Sequence, residues 1–147
     1  MSNGSDFAVS YFNNGFNCSQ SVLISHCEEF GMDKENALKI SCGFGGGMAH
    51  TDEVCGAVTG ALMLIGLKYG KYKAEDNAAK EKTYELVKKF TEQFKLKYGS
   101  VKCTDLINYD LSKNEELEKA RAAGVFKSVC PALVKESVEI VESILKI

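Results

Sequence analysis

Residues 51–69 read TDEVCGAVTGALMLIGLKY, and this stretch decides the fold class. Val54, Ala57, Val58, Ala61, Leu62 and Ile65 follow the i, i+3, i+4, i+7 spacing of one helix face, while Met63, Leu64 and Leu67 cover the other sides. A helix apolar on every side belongs at the centre of a domain. Thr51 is placed to cap it, and Gly70 to stop it. Its glycines, Gly56, Gly60 and Gly66, each cost about 1 kcal/mol relative to Ala in a helix interior. Close approach of another helix, or of a bound group, to a surface without side chains would offset that cost.

Helical patterns continue on both sides. Asn17 caps a helix from Cys18 to about Phe30, with Gln20 in the reciprocal capping position and Gly31 as the stop. Asp33 opens a short helix ending near Cys42, before the loop Gly43-Phe44-Gly45-Gly46-Gly47. Downstream, about Ala74 to Tyr98 form a long amphipathic helix with Leu86, Val87, Phe90, Phe94 and Tyr98 on one side and Gly99 at its end. Ser112 and Glu115 form a capping box for a short helix ending at Gly124. Cys130-Pro131 starts the last helix, whose inner stripe is Val134, Val138, Val141 and Leu145. No stretch sustains the period-2 alternation of a strand. The expected architecture is all-α: one domain over residues 1–147, with about six or seven helices around the 51–69 helix.

Composition narrows the function classes. A formal net charge of -2, from 18 basic and 20 acidic residues, leaves no electrostatic footprint for nucleic acid. The lysines of Lys80 to Lys97 alternate with glutamates, as on a solvated helix face. The longest apolar run, Ala61 to Leu67, falls far short of the roughly 20 residues of a membrane span, and Met1 to Phe16 lacks the features of a signal peptide. The expected location is the cytoplasm, where thiols stay reduced. Six cysteines in 147 residues are too few for a disulfide scaffold, so metal binding or redox chemistry gains weight.

Four of those cysteines fall at predicted helix starts: Cys18 after Asn17, Cys55 near the head of the central helix, Cys103 before Thr104-Asp105-Leu106, and Cys130 before Pro131. Unpaired N–H groups and the helix dipole favour a thiolate there. Asp52 and Glu53 oppose this at Cys55, whereas Lys102 and Lys127 support it at Cys103 and Cys130. Cys27 lies about 180° from Cys18 on the same predicted helix, and Cys42 closes a helix where the dipole disfavours charge. Both read as structural, with Cys42 the less settled because it borders the glycine loop. His26 reads as a surface or satisfied core residue; a ligand or proton-transfer role is conceivable for His50. No Ser-His-Asp arrangement is visible.

The runs Phe16-Asn17-Cys18-Ser19-Gln20-Ser21-Val22-Leu23, Gly43-Phe44-Gly45-Gly46-Gly47-Met48 and Cys55-Gly56-Ala57-Val58-Thr59-Gly60-Ala61 resemble the C_GCAxxG_C_C family of small redox-active proteins. Tyr98-Gly99-Ser100, Cys103-Thr104-Asp105-Leu106 and the late Cys130 complete the pattern in order. The resemblance places the family's cysteines on Cys18, Cys55, Cys103 and Cys130, and leaves Cys27 and Cys42 outside. A similar domain occurs in split-Soret-type cytochromes. This chain has no C-x-x-C-H run, so covalent haem is not expected.

Three functions compete. In the first, Cys18, Cys55, Cys103 and Cys130 ligate a metal, as an iron–sulfur cluster for electron transfer or as zinc. Gly43, Gly45, Gly46, Gly47, Gly56 and Gly60 would then allow close approach of the cofactor. In the second, two or more of the same cysteines act as a dithiol–disulfide couple with no cofactor. The third is a non-redox binding or interaction module. No C-x-x-C knuckle separates the first two. The expected partner is a redox protein or a small-molecule oxidant or reductant, and a homodimer is compatible with so apolar a central helix.

Overall fold

The computed structural model describes residues 3–147. Its helices run α1 (Asn3–Asn13), α2 (Cys18–Ile24), α3 (Lys34–Ser41), α4 (Gly45–His50), α5 (Gly56–Tyr69), α6 (Asn77–Tyr98), α7 (Cys103–Ile107), α8 (Asn114–Ala122), α9 (Val125–Ser128) and α10 (Cys130–Leu145). Short 3-10 turns occupy Glu28–Phe30 and Cys42–Phe44. Among the described residues there is no strand, only one isolated antiparallel bridge between Val54 and Lys102. The chain is all-α, as its periodicity requires.

The central helix is α5, packed against α2, α6 and α10. Ala57, Val58, Ala61, Leu64 and Ile65 are fully or almost fully buried. Phe90 and Phe94 of α6 and Val134, Val138, Val141 and Leu145 of α10 complete the core as their spacing predicts. Two of the glycines in α5 have the role expected of them. A Cβ on Gly56 would lie 3.0 Å from the Ser19 nitrogen, and one on Gly60 would lie 2.7 Å from the Ser19 carbonyl oxygen. The backbones of α2 and α5 therefore approach where only hydrogen atoms fit between them. A hydroxyl contact between Ser19 and Thr59 (3.3 Å) spans the same seam. Gly66 faces open space.

Local signals fix several ends. Asn17 accepts from the Gln20 N–H at 3.0 Å while the Gln20 side chain accepts from the Asn17 N–H at 3.0 Å, forming the predicted capping box. Gly31 and Gly99 close their segments in the left-handed conformation.

Elsewhere the chain departs from expectation. The first helix of the pattern ends at Ile24 rather than near Phe30, because the Ser25 hydroxyl donates to the Val22 carbonyl and tightens the turn. Ser112 does not cap α8; its N–H and hydroxyl turn back to Asp110. The N-terminal α1 carried no expectation, yet it packs along α10.

The central helix itself begins at Gly56, with Cys55 as N-cap, not at Thr51. The Thr51 hydroxyl donates to the carbonyls of Gly47 and Met48 instead. Residues 53–55 are drawn out of the helix by pairing with 101–103. The Cys55 N–H donates to Val101 O at 2.7 Å and the Cys103 N–H to Glu53 O at 3.0 Å.

Candidate functional site

That short bridge sets Cys55 and Cys103 diagonally across one face of a two-strand contact. Cys18 is the first residue of α2, and the close seam between α2 and α5 puts its Cβ near Gly56. Cys130 starts α10, with Pro131 following. Four segments distant in sequence thus deliver Cys18, Cys55, Cys103 and Cys130 to the wall of one cavity of about 390 Å³. All four are buried and none is in a disulfide.

Cys42 also lines the cavity, but it is exposed. The Asn17 side-chain amide donates to the Cys42 carbonyl at 2.8 Å, tying the rim to the residue that caps the helix of Cys18. Cys27 lies elsewhere, fully buried in the core, with its sulfur 3.9 Å from the Ile24 carbonyl oxygen. Gly45, Gly46, Gly47 and Gly56 line the cavity. Gly43 and Gly60 do not: Gly43 is exposed at the chain surface and Gly60 faces Ser19 and Val22.

The glycine run is an unusual piece of backbone. Five consecutive residues, Gly46, Gly47, Met48, Ala49 and His50, have φ between 59° and 71°. With ψ of 31° to 72° over Gly46–Ala49, α4 is a turn of left-handed helix. Each non-glycine residue there costs about 1–2 kcal/mol. Gly47 permits close approach to one of the cysteines, since a Cβ on it would lie 2.7 Å from the Cys103 Cβ. The turn forms one side of the cavity and brings His50 to its lining. His26 is remote from it, held between Glu29 (2.6 Å) and Glu142 (2.7 Å), a satisfied residue as expected.

Helix starts do not set the charge of these thiols uniformly. Burial raises Cys55 to about 11, and burial, reinforced by Cys55, Cys130 and Asp52, raises Cys103 to about 12. Cys18 stands well above the ordinary thiol value, first because its thiol is hydrogen-bonded to Cys130 and second because it is buried. Cys130 alone is lowered, because the Cys18 thiol donates to its sulfur. Desolvation has thus overridden the helix dipole at Cys55 and Cys103, while the interaction between Cys18 and Cys130 raises the first and lowers the second. Lys102 pairs instead with Asp52 at 3.6 Å. Asp52 accepts from the Thr104 N–H at 3.1 Å and from its hydroxyl, so it caps α7 from outside the helix and holds Cys103 in place. Sequence reading missed that role, which no local spacing marks.

A pH prediction follows. Cys55 and Cys103 are held protonated in the fold but ionise near 9.0 when unconstrained. The folded state therefore binds more protons above that pH. The stability these thiols contribute is complete below it and declines as pH rises towards about 11 and 12, at about 1.4 kcal/mol per pH unit for each thiol. Urea unfolding under reducing conditions should show a smaller loss between pH 9 and 11 for Cys55→Ala than for the native chain. Equal losses would contradict the assignment.

An all-α chain that gathers four buried thiols around one cavity defines a class of cysteine-centred helical proteins. The sequence matches, over residues 16–144, the family described as "putative redox-active protein (C_GCAxxG_C_C)", and the chain belongs to that family. No curated protein and no solved structure matches it. Among the described residues no helix is long and apolar enough to cross a membrane. Among the same residues, no three His, Cys, Asp or Glu side chains are grouped so as to hold a metal ion.

Proposed function

We propose that this chain is a dithiol–disulfide redox protein whose working pair is Cys18 and Cys130. The observation that carries the reading is that Cys18 and Cys130 are free thiols on the wall of one cavity, where their interaction holds Cys18 above the ordinary thiol value and Cys130 below it. Thiol exchange requires this division of labour: a thiolate to attack and a second thiol to resolve. The Cys130 thiolate attacks one sulfur of a disulfide R–S–S–R, forming Cys130–S–S–R and releasing one thiolate. Cys18 then attacks the Cys130 sulfur, its proton passing to the departing sulfur, and the Cys18–Cys130 disulfide forms. Two electrons have moved from the protein to the substrate, which leaves as one thiolate and one thiol. Cys55 and Cys103, held protonated, keep the cavity uncharged around the pair. A reducing compartment such as the cytoplasm would return the protein to its dithiol form.

A second reading keeps the four cysteines as ligands of an iron–sulfur cluster or zinc. It is favoured by their convergence on one cavity beside Gly45, Gly46, Gly47 and Gly56, although the four sulfurs would have to draw closer than they stand to ligate one centre. One experiment separates the two. The chain is purified anaerobically, its iron, zinc and sulfide are measured, and its free thiols are counted before and after mild oxidation. The dithiol reading expects no stoichiometric metal and a reversible loss of about two thiols, mapping to Cys18 and Cys130. Stoichiometric iron with sulfide, or stoichiometric zinc, would overturn it in favour of the second. Neither metal nor thiol loss would remove both.

A further inference from the structure

We infer that the molecule reacting with Cys18 and Cys130 is a small uncharged disulfide that enters the cavity, and not a protein disulfide. The inference rests on the dithiol reading and adds the substrate class. Access is the first argument. Cys18 is 8% exposed and Cys130 5%, so a disulfide fixed on another protein's surface cannot bring its sulfur in line with either thiol. A free small molecule can enter, because the cavity reaches the surface beside the exposed Cys42 and Ala49. Its volume of about 390 Å³ is that of a small-molecule site.

Chemistry of the wall is the second argument. Beyond the thiols and glycines, the lining is mainly Phe12, Ala49, Leu106, Ile107, Phe126 and Leu133. Among the described residues it includes no Lys, Arg, Asp or Glu, and His50 is its one ionisable side chain other than cysteine. A disulfide carrying carboxylates or ammonium groups would have to bury them without partners, which is costly in an apolar site. An uncharged disulfide loses nothing of that kind, and its apolar arms replace water against Phe12 and Phe126. The rim is also held in shape: the Asn17 side chain ties the Cys42 backbone, and the left-handed turn from Gly46 to His50 forms part of the lining.

The test uses the full reduced chain and follows formation of the Cys18–Cys130 disulfide by quenched alkylation and peptide mapping. Three oxidants are compared: bis(2-hydroxyethyl) disulfide, which is small and neutral; oxidised glutathione, which is charged; and insulin, a protein disulfide. Each rate is divided by that of dithiothreitol with the same oxidant, which removes intrinsic reactivity. The neutral disulfide should exceed both others by at least about tenfold. Leu106→Lys, with helicity checked by circular dichroism, should narrow the gap to oxidised glutathione by supplying a cation to the wall. If that variant does not fold, Ala49→Lys at the exposed rim serves the same purpose. Equal normalised rates, or insulin reacting fastest, would overturn the inference. So would a Cys18–Cys130 bond that forms with diamide but with none of the three disulfides, and in that case the dithiol reading stands. No Cys18–Cys130 bond with any oxidant would instead remove the dithiol reading, and the inference with it.

Discussion

Cys130→Ser should lose formation of the Cys18 disulfide completely, whereas Cys18→Ser should stop one step later, as a stable mixed disulfide on Cys130. The order follows from the opposite directions in which the two thiols are shifted. Cys130 is lowered because Cys18 donates to it; Cys18 is raised by the same contact and by burial. Replacing Cys130 removes the attacking thiolate, and serine cannot substitute for it in exchange. Replacing Cys18 removes the resolving thiol, so the substrate's first half stays attached to the protein. Mass spectrometry of the intact chain after treatment with a small disulfide reads both outcomes. A mixed disulfide on Cys18 in the Cys130→Ser variant, at native rate, would reverse the assigned order. Cys27→Ser should behave as the native protein, because Cys27 is buried in the core away from the cavity.

Gly60→Val should be the most damaging single change at the seam between helices, costing about 3 kcal/mol. Its Cβ would sit 2.7 Å from the Ser19 carbonyl oxygen and 2.9 Å from the Val22 Cβ. The first of these is backbone and cannot swing aside, so α2 and α5 must separate. At about 2–4 °C per kcal/mol for a chain of this size, thermal unfolding should fall by roughly 10 °C. The same displacement carries Cys18 away from Cys130, so alkylation of Cys130 should slow in whatever fraction remains folded. Gly66→Ala is the contrasting change. Nothing lies within 4 Å of its added methyl, and it should raise stability by up to about 1 kcal/mol. An equal loss in both variants would mean that the seam is not where glycine is required.

The difference between those two glycines was not legible in the sequence, although the need for close approach somewhere along the helix was. Both lie in the same apolar pattern, and only the position of α2 distinguishes them. Several local signals were read correctly, since the Asn17 capping box, the Gly99 stop and the inner stripe of α10 depend on residues within a turn or two, whereas the Ser112–Glu115 box was not, because Ser112 turns back to Asp110. The start of α5 depends on a partner 48 residues away, since Val54 pairs with Lys102. Thr51 looked like a cap because nothing near it announced that pairing. The same limit hid Asp52 as the residue capping α7. The glycine loop showed that the backbone there would be freed from ordinary constraints. It did not show that Met48, Ala49 and His50 would follow Gly46 and Gly47 into the left-handed region. For the thiols, placement at helix starts was visible in the sequence. The charge was not, because burial, which only the packed fold determines, acts against the dipole at Cys18, Cys55 and Cys103.

The scattered origin of the four cysteines has a kinetic consequence. Cys18 and Cys130 are 112 positions apart (130 − 18), and the Val54–Lys102 contact closes another long loop. No fragment of the chain contains a local precursor of the site, and such long-range closures come late in folding. During synthesis, α2 emerges with Cys18 well before α10 exists to dock against it. Every incomplete chain therefore carries solvent-accessible, unpaired thiols of ordinary reactivity, open to whatever oxidant it meets. Docking of α10 both brings together the pair proposed to react and buries it, so on that reading correct folding is itself the step that confers selectivity.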